Sequence, residues 1–121
     1  MPLPELAVGV GFRPGTSAEE IVAAVRVAVG DAVVDRLATI DRRAAEPGFL
    51  RAAEQLGAVG VGFAAEELAS ISVSRPSERV AAAIGTGSVA EAAAILASGG
   101  RELVCSKTIV SGLVIAAATI R

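Results

Sequence analysis

The sequence predicts an α/β fold with a mixed sheet of about five strands, the last two of them antiparallel. Three observations carry that reading. Short apolar runs rich in valine and isoleucine alternate with amphipathic stretches at helical spacing, the helix candidates bring their own capping residues, and the final two strand candidates lie too close together for a crossover.

Leu6 to Val10 reads as the first buried strand. From Ser17 to Val29, Ile21, Val25 and Val29, with Val22 beside them, give one apolar helical face, and Arg26 falls off it. Thr16 with Glu19, or Ser17 with Glu20, has capping-box spacing. Arg36 to Ile40 (RLATI) is the second strand, followed by the polar segment DRRAAE as a loop. Pro47 suits a first helical position, Phe49, Ala53 and Leu56 share a face, and Gly57 suits the C-terminal cap. Alternation of Val59, Val61 and Phe63 in VGVGF marks a third strand, with a brief helix over Ala65 to Ala69.

The stretch from Ser70 to Glu78 is irregular and reads as a loop, and Ser77 suits the cap of a short helix through Ile84. Ser88 with Glu91 repeats the capping-box pattern and opens the helix VAEAAAILA, which ends at Gly99 and Gly100. Glu102 to Ser106 and Leu113 to Ile120 are the last two strands, joined by about half a dozen residues including Ser111 and Gly112. A parallel pair needs a connection of roughly a dozen residues, so as neighbours these two are antiparallel. No repeat or linker divides residues 1–121, which are expected to form one domain.

Apolar residues make up 53% of the chain but aromatic residues only 2%, so the core is expected to consist of small, closely packed side chains. Eleven basic and 13 acidic residues leave a formal net charge of -2, with the basic ones scattered rather than clustered. That distribution, and the lack of tyrosine and tryptophan, argue against nucleic acid as a partner. The apolar stretch Ile109 to Ile120 is well short of the roughly 20 residues that span a bilayer, so no membrane partner is expected. MPLPELAV lacks the features of a secretory signal, and the cytoplasm is the expected location. The single cysteine, Cys105, excludes an internal disulfide and is expected to pack as a small hydrophobe. There is no histidine, which excludes a Ser/His/Asp triad and a Cys/His pair and leaves no zinc ligand set; neither a metal nor a cofactor is expected.

Two segments invite a binding reading. GVGFRPGTS, residues 9 to 17, places Gly11, Arg13, Gly15, Thr16 and Ser17 between a strand and a helix N-terminus, whose unsatisfied N–H groups suit a carboxylate or phosphate. The spacing is not that of a dinucleotide fingerprint, and a plain βα turn explains it equally well. TIDRRAAEP carries Thr39, Asp41, Arg42, Arg43 and Glu46 at a strand's carboxyl end, where ligands gather in open α/β sheets; a solvated polar loop is the alternative. Lys107, the one lysine, lies at a predicted strand end, and Glu91 sits among alanines near a helix start, where its capping position is a sufficient structural reason for it.

Taken in order, GVGFRPGTSAEEI (Gly9 to Ile21), LATIDRRAAEPGF (Leu37 to Phe49), PSERV (Pro76 to Val80), GTGSVAEAAAILASG (Gly85 to Gly99) and Lys107 followed by SGLVIAAA (Ser111 to Ala118) resemble the family formed by CobE and the C-terminal domain of CbiG, both of cobalamin biosynthesis. The similarity covers nearly the whole chain. It departs at Arg43, where the family commonly has lysine, and at Val114, near which the family has threonine; arginine keeps the charge but cannot act as a general base.

The resemblance implies a three-layer α/β/α domain that binds or acts on a precorrin or cobalt-precorrin, a tetrapyrrole rich in carboxylates. Gly11, Arg13, Gly15, Thr16, Ser17, Thr39, Arg42, Arg43, Glu46, Ser88 and Lys107 would form a carboxylate-binding rim. Any ring-opening or rearrangement chemistry, of the lactone-hydrolase type, would use Asp41, Glu46 or Glu91 for proton transfer and Lys107 or Arg13 against developing negative charge. A subunit that serves another corrin-pathway enzyme without its own ligand site is the alternative, and a homo-oligomer is left open.

Overall fold

The computed structural model describes residues 5–69, 86–99 and 103–120. Within them the chain forms β1 (Glu5–Gly11), α1 (Ala18–Val29), β2 (Val33–Ile40), α2 (Asp41–Ala44), α3 (Pro47–Leu56), β3 (Val59–Phe63), α4 (Ala65–Ala69), α5 (Thr86–Ala97), β4 (Leu103–Val110) and β5 (Leu113–Thr119). The strands make one mixed sheet in the order β3-β2-β1-β5-β4. β1 pairs in parallel with β2, and β2 with β3, whereas β5 is antiparallel to both β1 and β4. β4 therefore points the same way as the first three strands, and the carboxyl ends of β1 to β4 share one edge.

Helices cover both faces, giving the expected three layers. On one face Leu6, Val8, Val10, Leu113 and Ile115 pack with Ile21 and Val25 of α1 and Phe49 of α3. On the other face alanine dominates where helix meets sheet, with Ile40, Leu68 and Val114 as the larger buried side chains. Ala7 and Ala38 of the sheet meet Ala92, Ala93 and Ala97 of α5, and Ala116 and Ala118 meet Ala90 and Ala94. Gly9 completes that surface: a Cβ placed on it would collide with the Ala90 carbonyl oxygen and stand 2.8 Å from the Ala94 nitrogen.

The direction of α5 follows from its two ends. Ala90 lies over Gly9, in the carboxyl half of β1, while the Ala97 carbonyl accepts a 2.6 Å bond from Arg36, in the amino half of β2. The helix runs against the parallel strands and starts at their carboxyl edge.

Several boundaries differ from the sequence expectations. β2 begins at Val33 rather than Arg36, because Val33 and Val34 extend the pairing with Glu5 and Leu6. The polar segment after β2 is not a loop throughout: Asp41–Ala44 forms one helical turn over Gly62, whose missing side chain leaves it room. The helix opened by GTGSVAEA starts at Thr86, so Ser88 is its third residue and not its cap. β4 continues to Val110, and the connection to β5 is the two residues Ser111 and Gly112, not about half a dozen. Both have positive φ, 52° and 82°, as a tight type I′ hairpin turn requires. The loop expected over Ser70 to Glu78, the helix expected from Ser77 to Ile84 and the side chain of Cys105 lie outside the described residues.

Gly9→Ala is expected to lower stability by about 3 kcal/mol, since the clash is with helix backbone that cannot rotate away. Urea unfolding of the two proteins measures it.

Candidate functional site

The residues from Phe12 to Ser17 leave β1 at the carboxyl edge and are fastened to the start of α3 at three points. Phe12 is buried, and its ring stacks on Phe49 of α3 with centroids 6.0 Å apart and planes 7° from parallel. The Gly15 N–H donates to Glu46 Oε1 at 2.9 Å, across 31 residues of sequence. Gly48 has no side chain where the Thr16 carbonyl presses against it, a contact any Cβ would block. Inside the loop, the Thr16 hydroxyl and N–H both donate to the Arg13 carbonyl, at 2.6 and 3.2 Å, and Gly15 takes φ 83°, which glycine adopts at little cost.

Of the two capping boxes the sequence allows, the one formed is Ser17 with Glu20. The Ser17 hydroxyl accepts from the Glu20 N–H at 3.2 Å, and Glu20 Oε1 accepts from the Ser17 N–H at 3.1 Å. Part of the N-terminal donor set of α1 is thus satisfied from within, which leaves less of it for a ligand than the bare helix start implies.

The second segment brings its charges to the same edge with different commitments. Asp41 and Arg42 are exposed. Arg43 Nη1 lies 3.3 Å from Glu46 Oε2, with the two side chains 26% and 19% exposed. Thr39 is fully buried, and its hydroxyl donates to the Val10 carbonyl at 2.8 Å, tying β2 to β1 and leaving it no surface to offer a ligand; Gly11 is buried as well. Arg13 is exposed, and neither it nor Arg42 enters an ion pair among the described residues.

A groove of about 320 Å³ opens between the starts of α1 and α3, lined among others by Thr16, Ser17, Glu46, Gly48 and Arg51. Arg51 and Gly48 were missed by sequence reasoning. Arg51 reads as a solvated position on α3, and nothing in the sequence states that α3 starts beside α1.

Glu91 is half-buried in the middle of α5, the sixth of its twelve residues, and so lies beyond the first turn in which a capping box would place it. Ser88 belongs to the first turn of that helix. Lys107 is not at a strand end but inside β4, in a stretch where the register with β5 slips between Cys105 and Thr108. The side chains of Ser88 and Lys107 lie outside the described residues. The structure thus gathers the elements bearing Arg13, Thr16, Ser17, Asp41, Arg42, Arg43, Glu46 and Ser88 at one edge, with β4 and Lys107 two strands away from β1. Among the described residues no three His, Cys, Asp or Glu side chains group as a metal site, and no helix is long and apolar enough to cross a membrane.

The family described as Cobalamin synthesis G C-terminus matches residues 6–118, from β1 through β5. The chain belongs to that family. A cobalt-precorrin-5A hydrolase of Priestia megaterium is 36% identical over 103 residues, covering 81% of this chain, while the chain spans only 28% of the length of that protein. Protein CobE of a Sinorhizobium species is 36% identical over 114 residues, which are 88% of this chain and 73% of the relative. The solved structure of cobalamin biosynthesis protein chiG from Agrobacterium tumefaciens superposes with a TM-score of 0.73 at 34% identity, over 93% of this chain and 96% of that one. The mixed α/β architecture is therefore that of the cobalamin biosynthesis family.

Ser17→Ala removes the hydroxyl that accepts from the Glu20 N–H while leaving the backbone half of the capping box, and is expected to cost about 1 kcal/mol of stability in denaturant unfolding, with Thr16→Ala costing less because its hydroxyl bonds only within the loop.

Proposed function

We propose that this domain binds a precorrin-type tetrapyrrole of cobalamin biosynthesis through the ligand's carboxylates, along the rim made by the β1–α1 loop, α2 and the start of α5. The observation that carries the reading is the pair of exposed arginines, Arg13 and Arg42, set without ion-pair partners among the described residues at the carboxyl edge of a cobalamin-family domain. In open α/β sheets that edge is where ligands sit.

Magnitude decides what kind of ligand suits such a rim. An exposed guanidinium paired with one carboxylate contributes only about 1 kcal/mol or less. A ligand with one carboxylate would bind poorly, whereas a ring bearing many acetate and propionate arms engages several weak contacts at once, and each after the first is intramolecular. Arg43 adds little directly, because Glu46 already occupies it.

Binding is favoured over catalysis as the primary role. The hydrolase relative owes its name to a protein of which this chain spans 28%, whereas the chain spans most of the CobE relative. Should the bound ring be converted, Asp41 or Glu91 would transfer the proton, with Lys107 or Arg13 stabilising the developing charge. A ring opening by hydrolysis would parallel the cobalt-precorrin-5A hydrolase to which the chain is similar.

Absorbance titration of the purified protein with cobalt-precorrin-5A and with metal-free precorrins tests the proposal. A saturable shift that then stays constant is expected, weakened about fivefold by Arg13→Ala. A shift that evolves into a new chromophore over hours would turn the binder into an enzyme. No shift with any of the compounds would sink the proposal in favour of an accessory subunit.

A further inference from the structure

We infer that Glu46 is a positioning residue: its carboxylate locks the β1–α1 loop onto the start of α3 and so presents Arg13 to the ligand without touching the ligand itself. The inference rests on the rim-binding reading and assigns Glu46 a role in it other than ligand contact.

Four observations converge on this. Both carboxylate oxygens are engaged, Oε1 by the Gly15 N–H at 2.9 Å and Oε2 by Arg43 at 3.3 Å. Glu46 occupies the N-cap position of α3 yet makes no capping bond there, so its side chain does not serve its own helix and reaches instead to a loop 31 residues earlier. Apart from the two Thr16 bonds to the Arg13 carbonyl, which close the turn on itself, that loop is held to the rest of the domain by the Phe12–Phe49 stack at its base and by the packing of Thr16 on Gly48, neither of which fixes Gly15 against α3. Finally, Glu46 carries the same charge as the ligand's arms, so a direct contact would repel them.

The division of labour follows. Arg43 orients Glu46, Glu46 holds the Gly15 amide, and Gly15 at φ 83° closes the turn whose carbonyl belongs to Arg13. Loosening this chain of contacts leaves Arg13 on a mobile loop, and the cost of ordering it then falls on ligand binding.

The test uses the full chain, labelled with nitrogen-15, and reads both hydrogen exchange at the Gly15 amide and absorbance titration with cobalt-precorrin-5A. Glu46→Ala is expected to speed Gly15 exchange about tenfold and to weaken binding about fivefold, the same factor as Arg13→Ala. Combining the two substitutions is expected to cost little beyond either alone, because they remove the same contact by different routes. Glu46→Gln keeps an oxygen for the Gly15 N–H and is expected to stay within about threefold of wild type in both readouts. An unchanged affinity in Glu46→Ala, or fully additive losses with Arg13→Ala, overturns the inference. If the wild type itself gives no shift, the rim-binding reading is what fails, and the Gly15 exchange rate alone then decides whether Glu46 holds the loop.

Discussion

The approach of α5 to the sheet is the contact from which the other geometry follows. Gly9 has no side chain, its neighbours on that face are alanines, and α5 answers with Ala90, Ala93, Ala94 and Ala97. Each alanine buries little area, so the stabilisation comes from many close atom pairs between backbones rather than from large anchors. Because backbone meets backbone, the helix has little freedom to tilt or slide. Its start is placed at the carboxyl edge, and Arg36 fastens its end to β2 through the Ala97 carbonyl.

The opposite face is built on another plan. Phe49, Ile21, Leu37 and Ile115 are large and fully buried there, and the same helix that supplies Phe49 supplies the fastening of the β1–α1 loop. Packing and site are joined in one short segment: Glu46 ties Gly15, Gly48 admits Thr16, and Phe49 stacks on Phe12. The position of the β1–α1 loop is consequently a by-product of how α3 docks on the core beneath it.

The arginines sort by what they touch. Arg26 donates to the carbonyls of Gly30 and Ala32 at the end of α1, Arg36 to Ala97, and Arg43 to Glu46. Arg13 and Arg42 have no such commitment among the described residues and stand where the strands end. Among the described residues the arginines thus separate into those committed to a carbonyl or a carboxylate and those left exposed, a distinction invisible in composition.

Much was legible in the residues alone, because local spacing and local chemistry act over short distances. Ser17 with Glu20, Pro47 before Phe49, Gly57 after Leu56 and the alternation in VGVGF each mark an element whose cause lies within four residues. The antiparallel pairing of the last two strands followed from the shortness of their connection, and membership in the cobalamin family from ordered motifs. Where the reading missed, the cause was remote. The turn at Asp41–Ala44 packs on Gly62, and the hairpin at Ser111 and Gly112 let β4 run three residues past Lys107. Thr39 was read as a ligand group from its place near a strand end, whereas its hydroxyl is spent inside the sheet, and Glu46, read the same way, reaches a loop far away in sequence. The sequence by itself determined the order and kind of most of the described elements and the edge where charge would gather. Only the tertiary structure decided which of those charges remain open to a ligand, because a side chain's partner is set by the docking of segments that no local pattern encodes.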